Sequence, residues 1–136
     1  MIQIINEFLD KVMKTDFEGE QVVMNHFPYG CCKVASIFFA AYLAKNNIVD
    51  KKDIMVIANA DNGKSSHAWI EINNKIIDIT IDQFPNINKD EYIFELDSEF
   101  HQHFYGAGKY SFDEIMKFHK HYEADFKKNY EKLIRA

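Results

Sequence analysis

Apolar residues at Ile2, Ile5, Phe8, Leu9, Val12 and Met13 recur at three- and four-residue spacing, which predicts an amphipathic helix over residues 2–13. Thr15 to Met24 is polar and mixed and reads as a connection. Pro28 and Gly30 punctuate a turn, and Cys32 to Lys45 then runs almost wholly apolar, the pattern of a buried helix. Asp53 to Ala60 (DIMVIANA) predicts a strand, and Asp61 to Ser65 a loop. His67 to Ile72 and Lys75 to Ile81 predict two further strands around Asn73-Asn74, residues that accept the positive φ of a two-residue hairpin turn. Pro85 ends that run. Residues 91–96 predict another strand, while His101 to Lys109, with its two glycines, follows no clear period.

Ser111 and Glu114 have the spacing of a capping box. Phe112, Ile115, Met116, His119, Tyr122, Phe126, Tyr130 and Leu133 follow it along one stripe, which predicts a long C-terminal helix. Helices on either side of consecutive strands predict an α+β fold with a buried, cysteine-bearing helix on an antiparallel sheet.

Composition narrows the picture. A chain of 136 residues, 47% apolar and 15% aromatic, is expected to fold as a single domain over residues 1–136. The net charge of −5, with the basic residues dispersed, argues against nucleic-acid binding. No apolar run approaches the ~18 residues of a membrane span, and the N-terminal stretch lacks the basic leader of a signal peptide. The two adjacent cysteines are a poor disulfide framework and fit a reducing compartment, most simply the cytoplasm, with unconventional export as an effector the alternative.

The hairpin carries the chemistry. With Asn73-Asn74 as a two-residue turn, Ile72 faces Lys75, Trp69 faces Asp78 and His67 faces Thr80. His67, Trp69, Glu71, Asp78 and Thr80 then share one side, and Ala68, Ile70, Ile72, Ile77 and Ile79 the other. His67 and Asp78 become diagonal neighbours ~7–8 Å apart at the backbone, within side-chain reach. A carboxylate there fixes the imidazole tautomer and supports the imidazolium. A thiol at a helix start, beside an imidazolium, is the usual setting of a reactive cysteine. Cys31 and Cys32 both open the second helix, so the order cysteine, histidine, acid supplies nucleophile, base and orienting group for acyl transfer through a thioester.

Gly30-Cys31-Cys32, His67-Ala68-Trp69-Ile70-Glu71 and Asp78-Ile79-Thr80 together resemble the transglutaminase-like branch of the papain-like cysteine enzymes. The small catalytic domain of lasso-peptide leader peptidases is similar too, with a serine four residues after its cysteine, as Ser36 follows Cys32. The resemblance spans roughly residues 28–84. It implies a papain-like fold, a peptide or protein substrate, no cofactor, and a triad of Cys32, His67 and Asp78. Cys31 stays open as the nucleophile. The helix-start N–H of Cys32 is a natural oxyanion donor. The Asn25-His26 segment is a candidate second donor, Gln83 borders the cleft, Trp69 is core or cleft wall, and Ser36 is a packing residue.

Hydrolysis, glutamine deamidation and transamidation share one acyl-enzyme, and the sequence leaves them open, with a small peptidase preferred. Two other classes compete. His101-x-His103 and His119-x-His121 are possible zinc ligands, although residues two apart on a helix diverge and only a strand would let His101 and His103 share an ion. A non-catalytic interaction module is the third reading.

Overall fold

The computed structural model describes residues 1–85, 91–118 and 123–136. Its helices are α1 (Ile2–Lys14), α2 (Cys32–Lys45), α3 (Glu99–Gln102), α4 (Phe112–Phe118) and α5 (Glu123–Arg135). Its strands are β1 (Ile54–Asp61), β2 (Ser66–Ile72), β3 (Lys75–Ile77), β4 (Ile93–Glu95) and β5 (Gly108–Ser111). The strands form one antiparallel sheet in the order β4-β3-β2-β1-β5. The chain is therefore α+β, with N-terminal helices, a five-stranded antiparallel sheet and a C-terminal helix.

Helix α2 is the centre of the fold. Every residue from Ala35 to Leu43 is buried, so neither side of this helix is left for solvent. Its far side meets rings from other helices: Phe39 lies 4.9 Å from Phe8 of α1, and Phe38 stacks at 4.5 Å on Phe126 of α5. Its near side lies on β1 and β2, within a cluster containing Val56, Ile70, Ile72, Ile77 and Ile79. Ser36 is buried there as a small packing residue. Asn129 ties α5 to the segment after α1: it accepts from Glu18 N at 2.9 Å and donates to Glu18 O at 2.8 Å and Gln21 Oε1 at 2.7 Å.

The hairpin register follows the two-residue turn. Asn73 and Asn74 have φ of 50° and 63°, and Ile72 pairs with Lys75 and Ile70 with Ile77. The two predicted sides separate into two apolar clusters: the α2 side, and an opposite cluster of Ile57, Ala60, Trp69, Ile76 and Phe104. The second strand is shorter than predicted. It ends at Ile77 rather than Ile81, so the ladder pairs of Trp69 with Asp78 and His67 with Thr80 do not form. At Asp78 the backbone N–H instead donates to Tyr92 O at 2.8 Å, and the chain winds into a 3-10 turn over Ile81–Gln83.

The 15–24 connection leads into a 3-10 segment, Gly19–His26, that runs past its end. The strand expected over 91–96 is Ile93–Glu95, and the aperiodic stretch from His101 divides into the end of α3 and strand β5. The capping box forms in both directions, Ser111 N to Glu114 Oε1 at 3.0 Å and Glu114 N to Ser111 Oγ at 3.2 Å. Among the described residues, no helix is long and apolar enough to cross a membrane.

Candidate functional site

The turn into α2 sets the cysteines. Gly30 has φ of +67°, a left-handed conformation that disfavours any side chain, and it delivers Cys31 as the N-cap of α2. The first N–H groups of a helix lack intrahelical partners, and here no side chain of the N-cap satisfies them, so the positive end of α2 lies open beside Cys32. The two thiols differ in surroundings. Cys31 is 2% exposed, and burial, then the Cys32 charge, pushes its thiol up to about 12. Cys32 is only half-buried. Both cysteines are free.

His67 enters from the start of β2, opposite a bulge in β1. Ile57 pairs with Trp69 but the next pair is Ala60 with His67, so β1 carries one extra residue. Asn59, in the bulge, is exposed with φ of +64°. His67 Nε2 lies 2.6 Å from Asp78 Oδ2, and both side chains are fully buried. The expected contact is therefore made without the ladder pairing that was to produce it, because Asp78 leaves the sheet yet turns its carboxylate inward.

A third residue shares the contact. His101 Nε2 lies 2.7 Å from the same Asp78 Oδ2, with its side chain 1% exposed. Ser98 Oγ stands 2.8 Å from the His101 Nδ1. On the other carboxylate oxygen Thr80 Oγ1 donates at 3.5 Å, and Gln83 Nε2 donates to Thr80 Oγ1 at 3.2 Å while lying 3.4 Å from His67 Nδ1.

Electrostatics follows this geometry. Burial alone would drive the His67 ring neutral. The Asp78 charge and hydrogen bond, joined by a hydrogen bond and charge from Cys32, override it and raise the ring from 6.5 to about 9. Burial likewise opposes ionisation of Asp78. The His67 charge and the His101 and His67 hydrogen bonds outweigh it and hold the carboxyl below its ordinary value. With Nε2 taken by Asp78, Nδ1 is the ring nitrogen left, and Gln83 Nε2 lies 3.4 Å from it.

The remaining predicted residues separate. Trp69 is core: it is 5% exposed, lies 5.5 Å from His67 and 4.8 Å from His101 between ring centroids, and belongs to the second apolar cluster. Its indole N–H has no hydrogen-bond partner among the described residues. The Asn25 side-chain amide is engaged by Phe17, accepting from its N–H and donating to its carbonyl, both at 2.9 Å, so it is spent on fixing the backbone. Gln83 borders the His67 ring.

The expected metal pairs fare differently. His101 and His103 lie at the end of α3 rather than on a strand, one buried and the other exposed, so they do not face a common ion. His119 and His121 lie outside the described residues. Of the described side chains, His67, Asp78 and His101 could offer three ligand atoms within 4.8 Å of one another. Both nitrogens, however, are in direct hydrogen-bond contact with Oδ2. Tetrahedral zinc, with bonds of ~2.0–2.1 Å, would hold its ligands ~3.3 Å apart. The arrangement suits a shared proton network better than an ion.

His101 was missed as a site residue because its spacing with His103 resembles a ligand pair. Ser98 three positions earlier, as the N-cap of α3, was the local signal that His101 is held by its own turn. Comparisons with family models, curated proteins and solved structures found no match to this chain.

Proposed function

We propose that the protein is a cysteine-dependent acyl-transfer enzyme acting on an amide bond of a peptide or protein, most simply a small peptidase of papain-like, transglutaminase-like type. The observation that carries this reading is one imidazole in contact with a buried carboxylate through Nε2, its pKa raised by that carboxylate and further by the half-buried Cys32. In this mechanism the proton rests on His67 and the Cys32 sulfur attacks the substrate carbonyl. The free N–H groups at the start of α2 stabilise the oxyanion. As the C–N bond breaks, His67 passes its proton to the departing amine, leaving a thioester. Water then attacks the thioester, His67 takes the water's proton, and the carboxylate product leaves as sulfur departs.

Asp78 keeps the ring in one tautomer throughout. Cys31 is the poorer nucleophile because burial holds it as a thiol. Two unpaired thiols suit a reducing compartment such as the cytoplasm. Deamidation and transamidation would use the same sulfur and differ in the leaving group and acceptor.

Labelling with an electrophilic amide-mimicking probe, followed by mass mapping of the modified residue, tests the reading. The adduct is expected on Cys32, retained in Cys31→Ala and lost in Cys32→Ala. Labelling of Cys31 would move the nucleophile by one residue, and no labelling at either thiol would leave an interaction module.

A further inference from the structure

We propose that His101 is a positioning residue for the acyl transfer: its imidazole, oriented by Ser98, holds the Asp78 carboxylate against His67. This rests on the proposed reading of the site. A carboxylate oxygen only accepts, so a His101 Nε2 placed 2.7 Å from Asp78 Oδ2 carries a proton. In the neutral ring Nδ1 is then an acceptor, and the Ser98 hydroxyl at 2.8 Å donates to it. Ser98 is itself held in place, as the N-cap of α3. The ring is further confined by Trp69, Phe94 and Phe100, at 4.8, 4.9 and 5.0 Å between centroids.

The shared oxygen makes this more than packing. Asp78 Oδ2 accepts from both imidazoles, whereas among the described residues its other oxygen receives only a long contact from Thr80. A donor on the far side of the carboxylate fixes its rotation and withdraws part of its negative potential from His67. Removing that donor concentrates the carboxylate on His67 and favours the protonated ring. A residue that merely filled space would leave the His67 titration where it is.

The test is an NMR titration of the His67 ring in the unsubstituted protein and in His101→Leu, His101→Gln and Ser98→Ala. The midpoint is expected to rise by about half a pH unit or more in His101→Leu. It should return toward the original in His101→Gln, whose amide N–H can still donate to Asp78. Ser98→Ala, which removes the hydroxyl that orients the His101 ring, should move it the same way by less. Should His101→Leu not fold, Ser98→Ala decides. A midpoint unmoved in His101→Leu, or in Ser98→Ala where that is the deciding variant, overturns the proposal.

Iodoacetamide reactivity of Cys32 in the unsubstituted protein separates the two ideas. Fast alkylation with an unmoved midpoint defeats the role of His101 alone. Slow alkylation with a shifted midpoint defeats acyl transfer while the coupling of His101 to His67 stands.

Discussion

One carboxylate oxygen receives two imidazole nitrogens in the interior of this protein, and stability must depend on pH as a result. The His67 ring is raised from 6.5 to about 9. Below 6.5 it is protonated whether the chain is folded or not, and the Asp78 contact stabilises the fold in full. As pH rises through 9 the folded ring loses its proton and that stabilisation disappears. Asp78 acts at the other end: its lowered value gives stability above the ordinary carboxylate range that is lost as the pH falls below it. Urea denaturation is therefore expected to show stability declining between pH 6.5 and 9, a decline that Asp78→Asn abolishes. The buried Cys31 thiol adds its own loss only above 9. A slope unchanged by Asp78→Asn would show that another group sets it. At this scale the sequence was informative about the pairing of His67 with Asp78, although the contact forms where the chain has left the ladder rather than through the predicted alternation. It was silent on His101, because contacts between residues 23 positions apart in a chain that leaves the sheet cannot be read from spacing.

Among the elements, those with local causes were the legible ones. Helix α2 begins and ends where its apolar run does, and the Asn73-Asn74 turn fixes the hairpin register through two positive φ angles. The capping box at Ser111 is another local device, with both reciprocal hydrogen bonds present. Ser111→Ala is expected to cost about 1 kcal/mol in thermal or chemical denaturation, as N-cap losses do. Glu114→Gln, which preserves the return bond, should cost much less. Equal losses in the two variants would mean that charge rather than the hydroxyl is responsible. Alternation through Ile79 and Ile81 predicts a longer β3 than forms. Both are buried after the backbone has left the ladder, so burial kept the period while hydrogen bonding changed. Apolar period reports which side is buried, not whether a strand continues.

Across the whole molecule, a central helix lies between aromatic rings of α1 and α5 on one side and the sheet on the other. The layering gives the N-terminus of α2 a fixed position relative to the start of β2, so that residues 35 positions apart, Cys32 and His67, are near enough for Cys32 to contribute to the raised pKa of the His67 ring. The proposed chemistry depends on that proximity. The most direct measurement is the rate of iodoacetamide reaction at Cys32, located by mass spectrometry, at neutral pH in the unsubstituted protein and in His67→Ala. The expected result is alkylation at least about tenfold faster than free cysteine, falling to the free-cysteine rate in His67→Ala. A Cys32 that reacts no faster than free cysteine, or equally fast with and without the imidazole, would contradict the account.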